Sequence, residues 1–124
     1  MEITPLIPEG RQVIESYGDG RFRIAGTVVE GSVLVTPAAS FPWSAVDVAT
    51  MTVESLRPIL AADPPVEILL VGCGKRLLPL PPALKTTLRE HGIGADPMDT
   101  GAACRTYNVL MAEGRRVAAA LVAV

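Results

Sequence analysis

The stretch that most constrains the fold is residues 66–71, Val66-Glu67-Ile68-Leu69-Leu70-Val71. Five of its six side chains are apolar, without the alternation of a half-exposed strand. Such a run is the pattern of a central strand covered on both faces, which calls for layers above and below one sheet. Gly72-Cys73-Gly74 ends the run. A chain of 124 residues has room for one such core, and residues 1–124 are therefore expected to form a single domain. Aromatic residues make up only 4% of the chain, so the core must be aliphatic and rich in alanine.

Segments on either side of this strand fill in the layers. Residues 1–11 carry two prolines and a glycine and read as an irregular arm. Val13 and Ile14 open an extended segment that ends at Gly18-Asp19-Gly20, a turn triplet suited to positive φ. Phe22 and Ile24 alternate with Arg21 and Arg23, predicting a half-buried strand. Val28-Val29 and Val33-Leu34-Val35 flank Glu30-Gly31 and predict a second hairpin, which makes the first third a β-meander. Residues 36–42 read as a loop, and residues 45–48 after Trp43 as a short strand. Thr52 is an N-cap candidate for a helix that Pro58 shortens or kinks.

Beyond the central strand, Pro81 or Pro82 opens a helix through Leu84 and Leu88, and Gly92 suits its C′ position. Residues 93–98 form a strand that Pro97 assigns near an edge. A helix over about residues 100–112 follows, capped by Asp99 or Thr100, with Ala103, Tyr107, Leu110 and Met111 on its apolar face. Residues 115–124 form a final strand, which as an exposed edge could pair with a second copy. Alternating helices and strands after an initial β-meander predict an α/β domain with a mostly parallel sheet and helices on its faces.

Bulk chemistry excludes several functions. The net charge of −2 and pI near 5.3 argue against a nucleic-acid binder, which needs a basic patch. Cys73 and Cys104 are far apart, and His91 is the only histidine, so no metal site is expected and the thiols are read as free. No cofactor is implied. The N-terminus lacks the pattern of a signal or transit peptide, and no run is long enough to span a bilayer, so a prokaryotic cytoplasmic protein is expected.

Three groups of residues are candidate sites. Gly72, Cys73 and Gly74 end a buried strand, where backbone amides can hold an anion, and Lys75 and Arg76 add positive charge. Cys73 as a nucleophile needs a base, for which His91 is the one histidine. Asp99, Thr100, Arg105, Thr106 and Asn108 form the densest polar constellation. Arg105 either binds a carboxylate or phosphate or is paired internally, and Asn108 either holds a ligand amide or ties the helix to a neighbour. Trp43, in a proline-bearing loop, is either an exposed interface anchor or a lid over the core. Lys75 and Arg76 join it as a candidate interaction surface.

Several of these pieces together resemble one family. They are Ser16-Tyr17-Gly18-Asp19-Gly20-Arg21-Phe22-Arg23-Ile24, Gly31-Ser32-Val33-Leu34-Val35-Thr36-Pro37, Trp43 and Ile68-Leu69-Leu70-Val71-Gly72-Cys73-Gly74. Met98-Asp99-Thr100-Gly101-Ala102-Ala103-Cys104-Arg105-Thr106-Tyr107-Asn108-Val109-Leu110 and the segment Glu113-Gly114-Arg115-Arg116-Val117-Ala118-Ala119-Ala120-Leu121 complete the set. Over about residues 12–122 the chain resembles the small family of uncharacterised domains that includes mitochondrial complex I assembly factor 3 and an adipogenesis-associated protein of animals. The resemblance implies a three-layered fold with a central mixed sheet, helices on its faces and an extra β element. It also implies a protein-interaction or assembly-factor-like role with a protein partner, and it carries over no catalytic residues. Where the family usually has Gly-Thr-Gly this chain has Gly72-Cys73-Gly74, which argues against a role needing a thiolate. The alternative is a small-molecule or anion-binding domain, or an enzyme, with its pocket between the Gly72-Cys73-Gly74 turn and the helix start at Asp99 to Asn108.

Overall fold

Residues 68–71 of that run do form a strand whose side chains pack on both faces of a sheet. In the computed structural model, which describes residues 11–45 and 47–124, strand β6 (Ile68–Gly72) is second from one end of a five-stranded sheet. The other members are β4 (Val33–Val35), β5 (Ser40–Pro42), β7 (Gly94–Met98) and β8 (Val117–Leu121), in the order β5-β4-β8-β6-β7. Strands β8, β6 and β7 run parallel, while β4 is antiparallel to both β8 and β5. The sheet is thus mixed. A second sheet of three antiparallel strands, β1 (Ile14–Gly18), β2 (Arg21–Ile24) and β3 (Thr27–Glu30), forms the extra β element.

Alternation along the central strands divides their side chains between two cores. Leu34, Leu69, Val71, Ala118 and Ala120 face one side, with Trp43, Leu56, Ile59, Leu84 and Leu88. Val33, Val35, Leu70, Val117, Ala119 and Leu121 face the other, with Phe22, Ile24, Ala103 and Tyr107. Helices α1 (Arg57–Leu60) and α2 (Pro82–Glu90) thus cover the first face, and α3 (Thr100–Ala112) and the three-stranded sheet cover the second. Short alanines at 118–120 let both layers come close to β8, all of whose residues are buried.

Most element boundaries follow their local chemistry. Asp99 caps α3, its Oδ1 accepting from the Ala102 amide at 2.8 Å. Proline occupies the first turn of α2, and Gly92 follows that helix at φ +77°. Thr52 Oγ1 accepts from the Ser55 amide at 3.2 Å, opening a short 3-10 turn (Glu54–Leu56) that runs into α1, with Pro58 in its first turn. β7, containing Pro97, is an edge strand.

Four expectations are corrected. β3 and β4 are not a hairpin: β3 stays with β2, while β4 enters the large sheet. All three β4 side chains are buried, and only a strand covered on both faces provides that. Ser32 fixes the crossing, its carbonyl accepting from the Trp43 amide at 3.0 Å and its Oγ from the Ala123 amide at 3.1 Å. Within residues 36–42, residues 40–42 are strand β5, returned onto β4 by a turn in which Thr36 Oγ1 accepts from the Ala38 and Ala39 amides. β8 is internal, between β4 and β6, so it offers no edge to a second copy. The strand expected over residues 45–48 is not seen at its described positions, and Val48–Thr50 is a 3-10 turn. The arm expected over residues 1–11 lies outside the described residues except for Arg11.

Candidate functional site

The C-terminal end of β6 meets the start of α3, and one threonine makes the junction. Thr100 is fully buried. Its Oγ1 accepts from the Gly74 amide at 2.9 Å and donates to the Val122 carbonyl at 2.8 Å, while its own amide donates to the Gly74 carbonyl at 2.8 Å. One side chain therefore joins the exits of β6 and β8 to the first turn of α3. Gly72 permits the approach: a Cβ there would lie 3.0 Å from Thr100 Cα and 3.0 Å from Leu121 Cδ2. The Cys73 amide donates to the Met98 carbonyl at 2.8 Å. The Cys73 and Gly74 amides are thus both engaged within the chain.

Arg105 and Asn108 point elsewhere. Arg105 Nη1 donates to the Tyr17 hydroxyl at 3.2 Å, on the exposed surface. Asn108 grips the backbone of β1, its Oδ1 accepting from the Ile14 amide at 2.9 Å and its Nδ2 donating to the Ile14 carbonyl at 2.7 Å. Asp99 and Thr100 thus join the glycine turn, whereas Arg105 and Asn108 join the three-stranded sheet. From Thr100 to Asn108 the helix advances about 12 Å, so the set does not meet at one point.

The cysteines are free and buried. Cys73 Sγ lies 3.5 Å from the carbonyls of Val71 and Leu78. His91 precedes Gly94, which pairs with Ile68 at the start of β6, so Cys73 and His91 stand at opposite ends of the sheet. Burial pushes the Cys104 thiol up to about 12, against the opposing pull of Arg105 and aided by Asp99. Burial raises the Tyr107 phenol as well, against the pull of Arg11, and its hydroxyl donates to the Gln12 carbonyl at 2.9 Å. Neither group is a nucleophile at neutral pH.

Trp43 is corrected as an exposed anchor. It is 5% exposed, packs in the first core, and donates from Nε1 to Ser55 Oγ at 3.0 Å. An aliphatic core short of aromatics takes in its one indole. Lys75 and Arg76 are exposed in the loop between β6 and α2, beside Leu77, which is 60% exposed.

The sequence reading missed a cleft of about 660 Å³ at the other end of the large sheet. It opens between the β4–β5 turn, α1, the end of α3 and the starts of β6 and β8. Phe41, Pro58, Ala62, Val66 and Met111 give it apolar walls, and Arg11, Arg57, Arg115 and Arg116 also line it. These arginines are scattered singly or in a pair through the sequence, and only the parallel β6–β8 pairing brings Glu67 and Arg116 together as an ion pair. No motif spacing could have found them. Among the described residues no group of three or more His, Cys, Asp or Glu side chains could hold a metal, and no helix is long and apolar enough to cross a membrane.

Comparison with known proteins places this architecture. An uncharacterised protein of Rhodobacter capsulatus is 42% identical over 112 residues, 90% of this chain and 85% of that one. Proteins named NADH dehydrogenase [ubiquinone] 1 alpha subcomplex assembly factor 3 are 37% identical in Xenopus tropicalis and 33% in Homo sapiens, each over 88% of this chain. The match spans 60% and 59% of the length of those two assembly factors. The crystal structure of a Bartonella henselae protein, described as an outer membrane protein, superposes with a TM-score of 0.85 at 41% identity, covering 94% of this chain and 98% of that one. A Mth938-like domain from Bordetella pertussis gives 0.81 at 29% identity, covering 98% and 92%. Residues 14–122 match the family described as protein of unknown function (DUF498/DUF598), and the chain belongs to that family.

Proposed function

We propose that the chain is a non-catalytic protein-interaction domain of the assembly-factor kind, acting in the bacterial cytoplasm. The observation that carries this reading is the 33–37% identity to complex I assembly factors over 88% of the chain. The partner surface is the loop between β6 and α2. There Leu77 supplies an exposed apolar anchor beside two cations, Lys75 and Arg76. A partner with an apolar recess edged by carboxylates fits this chemistry. Two buried free thiols accord with a reducing compartment. The alternative small-molecule site at the Gly72-Cys73-Gly74 turn has less support, because the amides of Cys73 and Gly74 already have acceptors.

The test is affinity capture from the native cell with quantitative mass spectrometry, on the wild type and on the variant Lys75→Glu, Arg76→Glu, Leu77→Asp. The expected result is a partner enriched by the wild type and lost by the variant, with unchanged thermal melting. A partner retained equally by both removes the loop from the interface. Absence of any specific partner for either protein overturns the interaction reading itself.

A further inference from the structure

We infer that the cleft between the β4–β5 turn, α1 and the starts of β6 and β8 binds an anionic amphiphile, an unbranched alkyl chain bearing a carboxylate or phosphate head. Its volume of about 660 Å³ falls in the range that encloses small organic ligands, roughly 300–1,000 Å³. The interior is built from Phe41, Pro58, Ala62, Val66 and Met111, whose side chains offer no hydrogen-bonding oxygen or nitrogen. Thr36 is the one neutral lining residue with a side-chain hydroxyl, and that hydroxyl is engaged with Ala38 and Ala39. A sugar, base or peptide amide would leave its polar groups unmatched there. An alkyl chain would not.

Charge selects the head. Arg11, Arg57, Arg115 and Arg116 line the cleft against a single acid, Asp63. Arg116 is paired with Glu67, whereas among the described residues Arg11, Arg57 and Arg115 make no ion pair. Four of the chain's 11 basic residues therefore gather at this one opening, on a chain of net charge −2. Guanidinium groups suit planar carboxylates and phosphates, which they bind through charge-assisted hydrogen bonds. The cleft lies at the opposite end of the sheet from residues 75–77, so its occupancy and partner binding are separate properties.

The experiment titrates the whole chain with octanoate, decanoate, decyl phosphate and decylammonium, by calorimetry and by amide NMR shifts at low salt. Decanoate or decyl phosphate, or both, are expected to bind saturably, with shifts concentrated at Ala61, Ala62 and Gly114; the pair separates carboxylate from phosphate selectivity. Within one head group, each added methylene is expected to tighten binding about fourfold. The variant Arg57→Glu, Arg115→Glu changes only exposed side chains and is expected to weaken anion binding at least about tenfold. Ala62→Trp, which fills the cleft, is expected to abolish binding. The inference is overturned by no saturable binding of either anion, by equal binding of decylammonium, by shifts centred elsewhere, or by affinity unchanged in the double arginine variant.

Discussion

Asn108 does for β1 what a neighbouring strand would do. Its amide accepts from the Ile14 N–H and donates to the Ile14 carbonyl, closing the edge of the three-stranded sheet onto α3. Asn108→Ala leaves two part-buried backbone groups without partners, and the expected cost is about 2–3 kcal/mol. Arg105→Ala removes one exposed contact to Tyr17, and the expected change is within about 0.5 kcal/mol. Urea melts of the two variants check the contrast, and equal effects would contradict these roles. Cys104 adds a pH dependence. An unfolded thiol loses its proton near 9.0, whereas the folded one holds it until about 12. Across that window the unfolded chain binds fewer protons, so stability is intact below 9.0 and falls as pH rises, by up to about 1.4 kcal/mol per pH unit from this group. Cys104→Ala should flatten the alkaline limb of stability measured against pH. The polar cluster around Met98–Leu110 was legible because caps and helical spacing are local. The destination of each side chain was not legible, because Tyr17, Ile14 and Gly74 reach α3 only through tertiary packing.

At the scale of elements, the same division between local and distant causes decides what could be read. α3 and β6 follow from patterns confined to their own residues: a cap, a periodic apolar face, an unbroken apolar run. β4 and β8 carry apolar runs too, yet their partners are set by distant segments, so a hairpin and an exposed edge were equally compatible with them. Burial supplies the missing rule. A run with no polar side belongs inside a sheet, and both β4 and β8 lie there, next to each other. Gly72 holds the next contact, between β6 and α3. Gly72→Ala puts a methyl 3.0 Å from the backbone Cα of Thr100, which cannot swing aside as a side-chain tip can. The expected loss is about 1–3 kcal/mol, as in other overpacked cores. It should be read as a lower denaturation midpoint with an unchanged slope.

For the molecule as a whole, the two cores share one set of strands, and this ties their fates together. Leu69 faces the core that contains Trp43, while Leu70, its neighbour on β6, faces the core under α3 and the three-stranded sheet. Leu70→Ala should cost about 2–5 kcal/mol through lost burial and a cavity, although Leu70 and Trp43 lie on opposite faces of the sheet. Trp43 is the only tryptophan, so its fluorescence reports the first core alone, while far-UV circular dichroism reports the helices and strands of both. If β6 and β8 serve both layers, the two signals in Leu70→Ala shift to the same lower urea midpoint and remain superimposable. A circular-dichroism transition that moves while Trp43 fluorescence keeps its wild-type midpoint would show that the layer of α3 and the small sheet unfolds by itself. The shared-strand account expects the first result, because removing either layer uncovers the apolar faces of β4, β6 and β8 on that side and leaves a half-covered sheet to stand alone.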